Sequence, residues 1–314
     1  MSQAPQNELP QRKPEWLKKR LSFSNQRPMK NDLRGLNLHS VCEEASCPNI
    51  SECFSKGVAT VMIMGDICTR ACKFCDVKTG RPKPLDPNEP ENVAQWANAY
   101  NLKHIVITSV DRDDLKDDLG SMHFAKVVTR TKELNPKSTI EVLTPDFQGR
   151  EECIERICQT PIFVYNHNME TTERLTPHVR SASNYRRSLK VLNYVKEHHH
   201  KIYTKSGLML GLGETHDEVL LTMREMVAHG CDLLTLGQYL QPSKEHLPVK
   251  EFIHPDRFAE YKEAGEKMGF KAVFSGPFVR SSYLADELVE GLFGADGETR
   301  TDKAAGTCAE GFTV

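Results

Sequence analysis

Val58-Ala-Thr-Val-Met-Ile-Met64, followed at once by Gly-Asp-Ile-Cys68-Thr-Arg-Ala-Cys72-Lys-Phe-Cys75, is the stretch from which the rest of the chain can be read. Its first half is apolar on nearly every residue. That is the pattern of a strand buried on both faces, and such strands belong to parallel sheets covered by helices. Its second half places three thiols in a loop directly after the strand, where an α/β barrel carries its site.

Working downstream, strand-length apolar runs recur at 104–108, 139–143, 162–165, 207–211 and 233–240, alternating with helical segments at 92–100, 122–133, 151–159, 184–198, 217–229 and 255–268. Thr215 with Glu218 predicts a capping box at the start of the 217–229 helix. Polar or special residues follow the strands each time: Thr108 and Ser109, Thr144 to Asp146, Asn166 to Asn168, Gly211 to Glu214, Gln238 and Gln241. Recurrence at every strand end predicts a barrel rim, whereas a flat doubly wound sheet gathers its ligands at one switch point. The fold expected is therefore α/β: a partial (β/α)6 TIM-type barrel over 58–270, with an N-terminal extension at 1–57 and a C-terminal extension at 271–314.

Upstream, the first forty residues show no sustained period and predict an extended arm with one short helix at 15–21. At the other end, 294–314 is poor in residues to bury and predicts a mobile tail. No apolar run approaches the roughly eighteen residues of a membrane span, and the N-terminus lacks the apolar core of a secretion signal. These features predict a cytoplasmic protein without a membrane partner. With 41 basic against 43 acidic residues, no overall field favours nucleic acid.

Of the 10 cysteines, six lie between Cys42 and Cys75, a density that in a reducing compartment points to metal rather than disulfides. Cys68, Cys72 and Cys75 can hold three irons of a cubic [4Fe-4S] cluster and leave the fourth open to a small-molecule ligand. Structural zinc wants four closed ligands, and no fourth Cys or His falls at that spacing. Upstream, Cys42-Glu-Glu-Ala-Ser-Cys47-Pro-Asn-Ile-Ser-Glu-Cys53 offers a second triad, with Pro48 favouring an irregular loop over a long helix. Cys153, Cys158 and Cys231 have no such spacing and are expected in the core, while His198, His199 and His200 read as a solvated helix end.

The CxxxCxxC loop resembles the signature of the radical S-adenosylmethionine superfamily. That resemblance implies that S-adenosylmethionine chelates the open iron and is cleaved by one electron to a 5'-deoxyadenosyl radical. Phe74 matches the aromatic position against the adenine, and Gly207-Leu-Met209-Leu-Gly211-Leu-Gly-Glu214 resembles the GxIxGxxE segment, with Met209 replacing isoleucine. Asn168, Glu170 and Lys205 are the expected polar contacts to the nucleoside or methionine.

The second triad, together with Arg280-Ser281-Ser282-Tyr283 near the C-terminus, resembles lipoyl synthases. In that family Ser282 of the RSSY motif is the ligand to the spare iron of an auxiliary cluster. The resemblance, over about residues 30 to 290, implies two [4Fe-4S] clusters and hydrogen removal from C6 and then C8 of an octanoyl chain. Sulfur then comes from the auxiliary cluster held by Cys42, Cys47 and Cys53, which is consumed. The implied partners are octanoylated lipoyl carrier domains of 2-oxoacid dehydrogenase complexes or the glycine cleavage H protein. An electron donor such as a ferredoxin or flavodoxin and an iron-sulfur carrier for cluster renewal complete the set.

Overall fold

The computed structural model describes residues 12–18, 27–55, 60–282 and Ala285. Val58, Lys19, Arg20, Tyr283 and the 294–314 tail, on which some sequence expectations fall, lie outside the described residues.

The N-terminal region is more structured than its sequence suggested. A 3-10 turn occupies Glu15–Leu17, and Arg27–Gly35 (α1) is a helix where an extended arm was expected. Met29 and Leu33, four residues apart, put two buried side chains on one face of α1 and join the main core. Nine residues offered too short a window for that period to stand out. His39–Ser40 (β1) follows. The Ser40 hydroxyl then caps Val41–Glu44 (α2) by accepting from the Glu43 N–H, and Ile50–Ser55 is α3. Pro48 lies between the two helices, as its lack of an N–H requires.

Thr60–Ile63 (β2) is buried at all four residues. Ile67–Cys68 (β3) and Lys78–Thr79 (β4) pair parallel and close the base of the cysteine loop. Thereafter come Glu89–Ala99 (α4), His104–Ser109 (β5), Ser121–Leu134 (α5), Thr139–Leu143 (β6), Glu151–Cys158 (α6), Val164–Asn166 (β7) and Thr176–Val179 (α7). Tyr185–His198 (α8), Tyr203–Leu210 (β8), His216–Ala228 (α9), Leu233–Gln238 (β9), Pro255–Met268 (α10) and Ala272–Ser275 (β10) complete the order. The predicted capping box between Thr215 and Glu218 is present at α9.

Among the described residues the main sheet is 8-stranded, in the order β1-β2-β5-β6-β7-β8-β9-β10. Only β1 is antiparallel to its neighbour. From β2 onward each strand is added beside its predecessor without reversal, so every crossover has the same hand and the helices form one continuous layer, α4 on α5, α5 on α6, α6 on α8, α8 on α9 and α9 on α10. That order is a partial barrel; a doubly wound sheet would turn back at a switch point. The sheet also continues one strand beyond residue 270, because β10 pairs with β9.

Inside the barrel, Lys205 of β8 is fully buried, and its ammonium donates to both carboxylate oxygens of Glu141 on β6 (2.9 and 3.0 Å). Asn166 and His104 complete the carboxylate's partners. Burial alone would raise the Glu141 carboxyl, but the Lys205 charge and the His104 contact outweigh it and hold the group at about 2. The contribution of Glu141 to stability is accordingly complete above the carboxylate's unfolded value of about 4.3 and is lost as pH falls toward the folded one. Glu141→Gln should leave the Lys205 charge uncompensated and lower unfolding stability by about 3–5 kcal/mol, read from a urea midpoint at neutral pH.

Candidate active site

The cysteine loop begins with a backbone turn that few residues adopt. Met64 has φ 68° and Gly65 φ 93°, so β2 leaves the sheet sharply. The buried carboxylate of Glu89 fixes the turn by accepting from the Met64 N–H (3.0 and 2.9 Å), and Arg112 donates to the Met64 carbonyl. Beyond β3 the loop is pinned to the rim by Arg70, which is nearly fully buried. Its guanidinium meets Asp113 (2.7 Å), Asp146 (2.9 Å) and Asp111 (3.2 Å), carried by the segments after β5 and β6. Three carboxylates around one guanidinium fix both position and orientation of the loop. Farther along, the Lys73 N–H donates to the Val179 carbonyl, the Leu247 N–H donates to that of Lys73, and His246 Nε2 lies 3.0 Å from that of Cys75.

Cys68, Cys72 and Cys75 face a cavity of about 500 Å³ at the C-terminal rim of the strands. Burial raises the Cys68 thiol to about 11 and the Cys75 thiol to about 12. Phe74 and Met209 pack in one apolar cluster with Leu212 and Tyr239, and Phe74, Met209 and Tyr239 line the cavity. Asn168 and Glu170 also line the cavity, and the Asn168 amide donates to Glu170 (3.1 Å). Glu170 has φ 65°, and its backbone bonds to Gly207 and Met209 hold this strained residue against β8.

Lys205 must be removed from the expected contacts. It does not line the cavity, and its ammonium is committed to Glu141 beneath the rim. Among the cations that do line the cavity is Arg180, which the sequence reading missed. Its guanidinium donates to the Asn168 carbonyl (2.9 Å), and its Nε is buried without a partner. Nothing in the spacing around Arg180 could have marked it; a loop through α7 brings it in. His167 is held by two buried hydrogen bonds. Its Nδ1 donates to the Thr144 carbonyl, so Nε2 accepts from the Ser188 hydroxyl, and burial lowers its pKa to about 4. Glu214 accepts from the Gly211 and Leu212 N–H groups and so fixes its own turn. An added Cβ at Gly211 would lie 2.3 Å from the Gln238 amide, which explains that glycine sterically.

Cys42, Cys47 and Cys53 line the same cavity, as do Arg280, Ser281 and Ser282. Two long-range bonds draw these segments together. Ser46 donates to Asp76 (2.5 Å), joining the two cysteine segments, and the Asn49 amide donates to the Phe278 carbonyl (2.7 Å). The C-terminal segment crosses β9 at Gly237, where an added Cβ would stand 2.0 Å from the Val279 carbonyl oxygen. Arg280 stands within electrostatic reach of both Cys47 and Glu170, between the two halves of the chamber.

These surroundings fit the groups that the motifs imply. All six thiols are free, and no three His, Cys, Asp or Glu side chains among the described residues converge to grip a single ion. Three thiols of one loop facing the cavity are the soft donor set that an iron-sulfur cluster takes. The Asn168 side-chain amide oxygen (Oδ1), the Ser109 hydroxyl and Arg180 Nε are buried without partners beside the cavity. Such orphaned groups are those a polar ligand would satisfy.

Residues 62–226 match the Radical SAM superfamily, and residues 2–47 match the N-terminal domain of lipoyl synthase of that family. A lipoyl synthase from Hahella chejuensis is 55% identical over 282 residues, spanning 89% of this chain and 85% of the relative. The chain belongs to the lipoyl synthase family. A lipoyl synthase from Caldicellulosiruptor saccharolyticus is 52% identical over 280 residues, covering 89% of this chain and 98% of the relative. Among solved structures, methylornithine synthase aligns with a TM-score of 0.51 at 15% identity, over 82% of this chain and 86% of that one. Streptococcus suis SuiB bound to its precursor peptide SuiA aligns with a TM-score of 0.56 at 13% identity, over 83% and 55%. These two likenesses concern the fold alone, and they agree with the partial barrel. As a lipoyl synthase family member the chain is a sulfur-inserting radical enzyme, and its superfamily uses S-adenosylmethionine with a [4Fe-4S] cluster.

Proposed function

We propose that this chain inserts sulfur at C6 and C8 of an octanoyl group carried on a lysine of a carrier protein, giving the lipoyl cofactor. The single observation that carries the reading is that both cysteine triads and Ser282 face one chamber. Cys68, Cys72 and Cys75 would hold the cluster that serves S-adenosylmethionine, and Cys42, Cys47, Cys53 and Ser282 a second [4Fe-4S] cluster. When bound, the first supplies one-electron cleavage of the sulfonium to a hydrogen-abstracting radical, and the second supplies sulfur. Unactivated methylenes have no acidic proton, so side-chain acid-base chemistry alone could not functionalise them.

The chain's own residues position and shield. Phe74 and Met209 offer an apolar face for adenine. Asn168, Glu170 and Arg180 present an amide, a carboxylate and a guanidinium, the set needed for hydroxyl, ammonium and carboxylate groups. Ser282 would offer an oxygen ligand to an iron otherwise held by sulfur, a weaker match that favours release. No helix among the described residues is long and apolar enough to cross a membrane. We place the enzyme in the cytoplasm, served by a ferredoxin or flavodoxin and by an iron-sulfur carrier.

An alkyl chain has no polar group by which to be held, so a tethered lysine and its flanking backbone should supply orientation. Lys13 lies on the chamber wall, and Trp16 packs edge-on against His254 at a centroid distance of 4.9 Å, placing the basic N-terminal residues beside the opening. Product formation should be efficient from an octanoylated carrier domain, slower from an octanoyl-lysyl peptide and absent from free octanoate. Neutralising Arg12, Lys13 and Lys18 should lower kcat/KM about ten-fold for the domain alone, by loss of steering. Efficient conversion of free octanoate would overturn the tethered-substrate reading.

A further inference from the structure

Behind the auxiliary triad, among the described residues, lies a second opening of about 760 Å³. Cys42, Ser46 and Cys47 line both this opening and the chamber, so they form the partition between the two. Its outer wall carries Lys30 and Arg34 of α1, Glu43 and Glu44 of α2, and Asp66 and Lys78 flanking the cysteine loop. These side chains are tied in pairs: Lys30 to Glu43 at 3.5 Å, Arg34 to Glu43 at 3.3 Å and Lys78 to Asp66 at 3.1 Å. Surface pairs of this kind are each worth only about 0.2–1 kcal/mol, so they part readily. The front is built otherwise, with the Val279 backbone laid against Gly237 at closest approach.

If the auxiliary cluster gives up sulfur, as the proposed function holds, the triad must be refilled before it can serve again. We propose that this rear opening is where the triad is recharged, by a donor protein that presents a preassembled, thiolate-bound [4Fe-4S] cluster. Such a cluster with four thiolates is an anion. The cationic ends of Arg34 and Lys78 are 71% and 68% exposed at the rim, against 18% and 25% for the Glu43 and Asp66 side chains they pair with, so the rim turns its positive ends outward toward an arriving anion. Transfer needs only ligand exchange: three donor thiolate–iron bonds break as bonds to Cys42, Cys47 and Cys53 form, and the fourth breaks as the Ser282 oxygen, whose proton leaves with that thiolate, takes its place. The proton of each incoming thiol passes to the departing thiolate, and no electron moves. The front can meanwhile remain filled.

The test uses the intact holoenzyme after one turnover, with a synthetic [4Fe-4S] cluster carrying four small thiolates as the probe. Recharging is read as the return of iron-sulfur absorbance and of iron per chain, with and without an excess of octanoyl-lysyl peptide in the chamber. The wild-type rate should be unchanged by the peptide. Arg34→Glu with Lys78→Glu should slow recharging at least about ten-fold through reversed rim charge while leaving the first turnover intact. Blocking of wild-type recharging by the peptide would overturn the proposal without reference to any variant, and so would recharging of the double variant at the wild-type rate. Absence of product in the wild-type first turnover would instead count against the proposed function.

Discussion

Replacing Cys68, Cys72 and Cys75 together by alanine should bring S-adenosylmethionine cleavage to background while leaving about four irons per chain at the other triad. The three thiols stand on a loop that the Arg70 ion pairs and the β3–β4 pairing hold independently of their own side chains. The variant should therefore fold, and iron analysis after anaerobic purification, with deoxyadenosine measured by chromatography, reads both halves of the expectation. Retained cleavage would end the assignment of this triad to S-adenosylmethionine.

The complementary variant, with Cys42, Cys47 and Cys53 replaced, should separate two events that the wild type couples. Deoxyadenosine should still form, because none of these residues belongs to the Cys68–Cys75 loop, yet no sulfur should reach the octanoyl chain. The two segments touch through Ser46 and Asp76, so the cleavage rate should shift by a few-fold at most, while mass spectrometry of the carrier shows octanoyl alone. Lipoyl product from this variant would exclude the second triad as the sulfur source.

How far the sequence could be read follows from how local each feature is. The βα alternation and the rim were legible because each strand carries its own period and its own polar residue at the end. Pro255–Met268 even begins and ends where its proline and Gly269 require. The burial of Cys153, Cys158 and Cys231 was also legible from their spacing alone. Helix α1 was missed because two buried residues in nine do not make a period. Lys205 was misplaced for a different reason. It lies on the right strand, yet the residue opposite it on β6 is a glutamate, and pairing across a barrel interior leaves no trace in one strand's sequence. Arg70 shows the same limit: the signature loop was quoted in full, but its arginine's partners lie 43 and 76 positions away. Arg180 and Arg280 reach the chamber only through the tertiary fold.

The bond from Asn49 to the Phe278 carbonyl spans 229 positions. During biosynthesis its first partner leaves the ribosome on the order of ten seconds or more before its second, at ordinary translation rates. The loop around Cys68 to Cys75 is pinned first by its neighbours and the segments after the next two strands, and its last contacts come from His246 and Leu247, whereas the wall that Ser282 completes needs almost the whole described chain. The two halves of this site thus mature at different times, and the half expected to surrender sulfur is also the last to be enclosed.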